Sequence, residues 1–179
     1  MTGVRVANED DALAVAGVYA PYVRDTVISF EAVPPSPDEM RGRIRKILTT
    51  YPFLVFEDGG VVAAYAYASP HGERAAYRWS VDVAVYAAPE AHRRGMGRAL
   101  YTRLFEILAR QGFHSAYAGI TLPNAKSVGL HEAMGFGYIG TYAEVGFKFG
   151  AWRDVGWWGR RLSQGLPGGE PIPFPDLRE

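Results

Sequence analysis

Asn124, Ser127 and His131 stand three and then four residues apart. On a helix, at about 100° per residue, they fall within roughly a 60° arc. An amide, a hydroxyl and an imidazole are thus stacked along one line where an apolar stripe would carry Leu or Val. An imidazole titrates close to neutral pH and can give or take a proton there. The same residues also have a purely structural account, with Asn124 capping the helix and Gly135 as the residue just past its end.

A second group is Pro89-Glu90-Ala91-His92-Arg93-Arg94-Gly95-Met96-Gly97-Arg98. A strand that feeds a helix through two glycines exposes backbone N–H groups at a helix N-terminus. Glycine admits a close ligand, and the helix dipole favours negative charge. Arg93, Arg94 and Arg98 add to the positive field, which makes this a phosphate or pyrophosphate cradle in sequence form; a glycine-eased turn is the plainer reading. A P-loop is excluded, because no string has four residues between glycines followed by Gly-Lys-Ser/Thr. The dinucleotide fingerprint fails too, because Leu100 sits where its third glycine belongs.

Asp82 is a lone carboxylate with Val81 and Val83 on either side. It reads either as the ion-pair partner of Arg78 or another cation, or as a proton acceptor. In the second role its ordinary value near 4 must be raised, or the proton relayed through water, before it can deprotonate an amine.

These groups need elements to hold them. Val4 to Val6 reads as a strand, followed by a helix capped by Asn8 or Asp10 and ending near Pro21. Asp25 to Pro37 is irregular and closes with three prolines in four residues. Asp38 to Thr49 is helical. Phe53 to Glu57 and Val61 to Ser69 form a hairpin about Asp58-Gly59-Gly60. Tyr77 to Ala87, with valines at period two, is expected to be the longest strand of this block. Gly95 to Gln111 is the clearest helix, with Met96, Leu100, Leu104, Ile107 and Leu108 as its buried stripe and Gly112 past its end. A strand (Ser115 to Ile120), a short helix (Asn124 to Met134) and two aromatic-rich strands (Phe136 to Phe147, Trp152 to Arg161) follow. The order β-α-α-β-β-β-α-β-α-β-β predicts an α/β fold in which a mixed sheet is flanked by helices. Residues 1–162 make one domain, and 163–179, with four prolines and three glycines, make a tail without a core of its own, either disordered or an arm across a partner.

Composition narrows the function classes. The 179 residues are 48% apolar and 21% charged, which suits a soluble domain with a sizeable core. Nineteen basic and nineteen acidic residues cancel, which argues against coating nucleic acid or an anionic membrane. The lack of cysteine removes disulfides, thiolate metal sites and a cysteine nucleophile. His71, His92, His114 and His131 are too scattered for a zinc signature, so no metal is expected. The apolar run Val61 to Ala68 is far short of the ~20 residues that span a bilayer, and the acids at 9 to 11 do not suit a signal peptide. A cytoplasmic protein is expected.

The string from His92 to Gly97, a long helix, a strand, and then Asn124-x-x-Ser127-x-x-x-His131-x-x-x-Gly135-Phe136 resembles the coenzyme A site of the GNAT N-acetyltransferase superfamily. Several motifs in order narrow the likeness to the phosphinothricin and methionine sulfone or sulfoximine N-acetyltransferases. They are Arg78-x-Ser80-Val81-Asp82, Leu122-Pro123-Asn124, Leu130-His131-Glu132-Ala133 and Gly146-Phe147-Lys148-Phe149-Gly150-x-Trp152-x-Asp154-Val155. Together they cover residues 3 to 162.

The resemblance implies a mostly antiparallel central sheet, acetyl-CoA as co-substrate, a small amine as acceptor and a homodimer packed through the aromatic C-terminal strands. It implies that Val85, Tyr86 and Ala87 receive the pantetheine arm, that an N–H near Val85 polarises the acetyl carbonyl, and that Arg93 to Arg98 take the pyrophosphate, with Asn124 and Ser127 alongside. Phe30, Glu31, Arg78 and Ser80 are the candidates for the amine pocket, a guanidinium suiting an amino-acid carboxylate. Asp82 is read as general base, and His131, at the position where the superfamily commonly has Tyr, as general acid first and base second. The chain departs from the pattern at His92, where the superfamily has Gln or Arg, and at Asp82, where the branch has Glu. Two alternatives stand beside this reading: a coenzyme-binding domain without turnover, and an acetyltransferase of protein N-termini.

Overall fold

The computed structural model describes residues 2–91 and 94–177. Strand β1 (Gly3–Val6) ends where the Asn8 side chain accepts the Asp10 N–H at 2.8 Å and the Asp11 carboxylate returns to the Asn8 N–H at 2.8 Å. This reciprocal cap starts a short 3-10 turn that runs into helix α1 (Ala12–Asp25). The helix does not stop at Pro21 as expected. Proline forfeits one backbone bond, but Tyr19 and Val23 on either side are buried, and their burial keeps the last turns helical. Helix α2 (Pro37–Leu48) opens on a capping box between Ser36 and Glu39, with Pro37 in the first turn.

Strands β2 (Phe53–Asp58) and β3 (Val61–Pro70) form the expected hairpin, with Gly59 and Gly60 at φ 60° and 87°. Strand β4 (Ser80–Ala87) begins later than expected because Ala75–Tyr77 wind into a 3-10 turn. At 8 residues it is shorter than β3, and shorter than β6 (Gly137–Lys148) at 12. Helix α3 (Met96–Gln111), strand β5 (Ser115–Thr121), helix α4 (Ala125–Ala133) and strand β7 (Ala151–Arg161) complete the set.

Among the described residues seven strands form one sheet in the order β1-β2-β3-β4-β5-β7-β6, antiparallel except between β4 and β5. That parallel contact is short. Its pairs run only from Ser80↔Ser115 to Asp82↔Tyr117. Beyond them β4 follows β3 as far as Ala87↔Ala64, while β5 follows β7 as far as Thr121↔Val155, so the sheet opens as a wedge. Alternation sends Tyr86 to one face, edge-on to Tyr19 and Tyr22 of α1, and Val85 to the other, beside Gly97 of α3. Leu100, Leu104 and Leu108 of α3 are fully buried on that second face.

The C-terminal segment lies along its own chain. Gln111 and Ile172 exchange hydrogen bonds of 2.7 and 2.8 Å, the Phe174 N–H reaches the Thr50 carbonyl, and Trp79 donates to Gly169.

The loop between α1 and α2 is fastened from the far edge of the sheet. The Lys148 ammonium on β6 donates to the carbonyls of Val23, Ser29 and Glu31 at 2.6, 2.7 and 3.0 Å. Removing a charged donor from three carbonyls at once costs about 1–3 kcal/mol. Lys148→Met should therefore lower the melting temperature by roughly 2–10 °C and make residues 26–36 the first site of limited proteolysis. Thermal melting and peptide mapping check both.

Candidate active site

The glycine turn forms a left-handed entry to α3. Gly95 caps the helix at φ 77°, a conformation that side chains with a Cβ disfavour. The first backbone bond back into the helix is Ala99 N–H to Gly95 carbonyl, so the N–H groups preceding Ala99 lack the helical partner that later residues have. They face a cavity of about 650 Å³ lined by Val85, Tyr86, Ala87, Gly95, Met96, Gly97, Arg98, Asn124 and Ser127. Nine residues that the sequence assigned to the cofactor are thus brought to one wall system. Gly97 lets the helix sit close, since a Cβ there would lie 3.1 Å from Leu130. Pro21, Tyr22, Thr26, Ile28 and Lys126, which carry no motif of their own, also line the cavity, as does Leu130 of the Leu130-His131-Glu132-Ala133 motif. Tyr22 donates to the Ala87 carbonyl at 2.5 Å, tying α1 to the end of β4. Arg94 turns away to Asp58 at 2.7 Å. His92 and Arg93 lie outside the described residues.

The cavity narrows into the wedge, where a void of about 60 Å³ touches Val83 to Tyr86 on one side, Ala118 to Thr121 on the other, and Tyr101 and His131. His131 is 3% exposed. Its Nδ1 is 2.8 Å from the Ser127 carbonyl and its Nε2 is 2.9 Å from the Tyr101 hydroxyl. A carbonyl only accepts, so Nδ1 carries the hydrogen and Nε2 accepts from the tyrosine. Burial holds the imidazole below its ordinary value, and the ring rests neutral. Burial also pushes the Tyr101 phenol up. Asn124 caps α4 by accepting the Ser127 N–H at 3.1 Å, which aligns the helix on which Ser127 and His131 ride.

Asp82 lies at the last β4–β5 pair before the strands part. Its partner is His71, at 2.6 Å, and not Arg78. Burial raises the Asp82 carboxyl, and the histidine opposes that rise. Ser80 is two residues back on the same strand, and its carbonyl accepts the His71 N–H. Arg78 is held by Glu170 and lies over Trp79, so it is not brought to the cleft. Phe30 lies flat on Gly146, which has no room for a Cβ. Glu31 is gripped by Arg43 at 2.6 and 2.8 Å and accepts from Tyr19, and the guanidinium holds its carboxyl below the usual range.

A family model described as "Acetyltransferase (GNAT) domain" matches residues 4–157. The chain belongs to this acetyltransferase family. The phosphinothricin N-acetyltransferase of Streptomyces viridochromogenes is 41% identical over 164 residues, 92% of this chain and 90% of that one. The L-methionine sulfoximine/L-methionine sulfone acetyltransferase of Salmonella typhimurium is 32% identical over 153 residues, 85% and 90% of the two chains. Among solved structures, the GNAT superfamily phosphinothricin acetyltransferase of Sinorhizobium meliloti in complex with AcCoA superposes with a TM-score of 0.91 at 34% identity, covering 99% of each chain. The GNAT fold and the resemblance both stand as the sequence motifs implied, and the chain is an N-acetyltransferase.

The partners of His131 and Asp82 also escaped the sequence reading. Tyr101 sits one turn beyond Gly97 inside an apolar stripe, and only the position of α4 reveals that its hydroxyl has a partner. His71 was one of four scattered histidines. Once Ser69 pairs with Asp82, His71 follows two residues on along the same face.

The buried His131 gives a pH signature. Its folded value is depressed, so the stability it contributes is complete above the ordinary 6.5 and is lost as pH falls toward the folded value, because the unfolded chain takes the proton first. Melting temperatures from about pH 8 to about pH 5 should diverge below 6.5, with His131→Gln losing less than the parent protein.

Proposed function

We propose that this enzyme transfers the acetyl group of acetyl-CoA to the amino group of a small amino-acid-like substrate, of the phosphinothricin or methionine sulfoximine kind. The observation that carries the reading is the path from the α3 N-terminus, along the unpaired side of β4, into the wedge beside His131, which opens just past the β4–β5 pair at Asp82. The cavity fits the coenzyme: orphan helix N–H groups with Arg98 and Lys126 for phosphates, the side of β4 from Val85 to Ala87 that β5 leaves unpaired for the amide-bearing arm, and apolar walls between. When bound, acetyl-CoA supplies the thioester whose acyl group is transferred.

The chain's own residues have three tasks. A backbone N–H near Val85 polarises the acetyl carbonyl. Asp82 serves the acceptor's ammonium as base, through water. His131 serves the leaving sulfur. Because the ring rests neutral, with its Nδ1–H on the Ser127 carbonyl and Tyr101 donating to Nε2, a proton reaching sulfur from this side does not come from a standing imidazolium. Asn124 and Ser127 place His131 by capping and leading α4, and Arg93 and Arg94 stay assigned to the field around the turn. Phe30 and Glu31 belong to the loop at the cavity mouth, with Ser80 near Asp82; Arg78, engaged by Glu170, has no acceptor role in this reading. The named relatives do not favour a coenzyme-binding domain without turnover or an N-terminal protein acetyltransferase.

Residues 1–162 are the catalytic domain in this reading and 163–179 its tail. The setting is cytoplasmic, where acetyl-CoA is made available; no helix among the described residues is long and apolar enough to cross a membrane. The enzyme works as a homodimer. Support comes from edge strand β6 and its turn into β7, which leave Tyr138, Tyr142, Phe147, Phe149 and Trp152 exposed together. Trp158 of β7 is buried in the core and takes no part in this surface.

Thiol release from acetyl-CoA against a panel of amines tests the activity. Turnover should be confined to small amino acids and their analogues, and Asp82→Asn should lower kcat by about 10²–10⁴-fold with acetyl-CoA affinity unchanged. No thiol release with any amine overturns the reading. Sedimentation at micromolar protein should give a mass near twice 19.7 kDa; a monomer at every concentration removes the dimer.

A further inference from the structure

His71 brings a second imidazole to the acceptor side of the sheet. With the Asp82 carboxylate accepting at 2.6 Å, Nδ1 carries the hydrogen and the lone pair is on Nε2, which has no hydrogen-bond partner among the described residues. The ring is fixed on three sides. It lies over Tyr117 at a centroid distance of 4.4 Å and meets Tyr77 and Trp157 edge-on. The two side chains are 28% and 32% exposed, so water reaches the pair. The groups around it are Ser69 of β3, Tyr77 of the connecting turn, Tyr117 of β5 and Trp157 of β7. None is an anion or a cation at neutral pH. Glu31 and Arg43, which act with Asp82 on Tyr67, are spent on each other.

We propose that His71 is the proton acceptor for the incoming amine, with Asp82 orienting its ring and stabilising the imidazolium that forms. The inference rests on the acetyltransferase reading and refines the part given to Asp82 there. An ordinary imidazole is about two and a half pKa units closer to an ammonium than an ordinary carboxylate is, so the transfer is less uphill. The arrangement also gives a chemical use to the shorter carboxylate: aspartate at this position leaves room for a ring that can be reached by water. Written out, R–NH3+ passes one proton through water to Nε2 and becomes R–NH2. Its lone pair forms the C–N bond to the acetyl carbon as the C–S bond breaks and that electron pair leaves on sulfur. The nitrogen's second proton is balanced by the one the thiolate takes up, and His71 returns its own to water.

The test uses the full chain and an amine that the parent enzyme acetylates. His71→Gln keeps an N–H for Asp82 but has no basic nitrogen. It should lower kcat/KM by about 10²–10⁴-fold and abolish the acid-side inflection of its pH profile, with acetyl-CoA affinity by calorimetry unchanged. His71→Ala should recover part of its rate, saturably, on addition of free imidazole. Parent-like rate and pH profile in His71→Gln overturn the proposal. So does a slower enzyme with the inflection intact and no imidazole rescue, since His71 would then only hold Asp82. Where the alanine variant loses acetyl-CoA affinity, the glutamine variant decides. A parent enzyme that acetylates no amine fails earlier, at the activity itself.

Discussion

The parting of β4 and β5 after the Asp82↔Tyr117 pair governs the rest of the structure. A parallel pair that continued would bury the backbone groups of Val83 to Ala87 in a ladder, and the wedge would not exist. The pair ends because each strand has a longer antiparallel neighbour, β3 or β7, that keeps it in its own half of the sheet. The unpaired side of β4 then needs a partner, since exposed strand edges carry unmet donors and acceptors. Tyr22 takes one carbonyl, and the large cavity gives the others room for an extended ligand. The same divergence sets Asp82 at the root of the opening and lets α4 bring His131 to the void between the strands.

In the proposed reaction two imidazoles work from environments of opposite character. His131 is enclosed, shares both ring nitrogens with neutral partners and is held uncharged by desolvation. His71 is wetted, faces a carboxylate and keeps one nitrogen open. Burial next to neutral dipoles disfavours a cation, whereas a carboxylate neighbour compensates one. In the proposed reaction, acid–base work on the two sides of the thioester is divided by surroundings and not by residue type.

Much of this was legible along the chain wherever the signal is local. The Gly59-Gly60 hairpin, the Gly95 entry and Gly112 exit of α3, and the Asn124 cap are short-range features, and each appears where its residues stand. Boundaries set by tertiary burial were not legible. Pro21 punctuates the sequence, yet α1 passes through it because its flanks are buried. Tyr77 to Trp79 continue an alternating pattern, yet β4 waits until Ser80. Partners distant in sequence were invisible for the same reason. His71 meets Asp82 through strand register, Tyr101 meets His131 through helix placement, and Arg78 finds Glu170 only because the tail folds back.

Lys148 belongs to the sheet's outermost strand, yet its ammonium holds the loop whose Thr26 and Ile28 form part of the cavity roof. The residue works as a tie rod between the outer hairpin and that roof. Any force that shifts the hairpin is transmitted to the loop directly, without first deforming the strands between them. The rim of the sheet and the cavity beside α3 are mechanically in series.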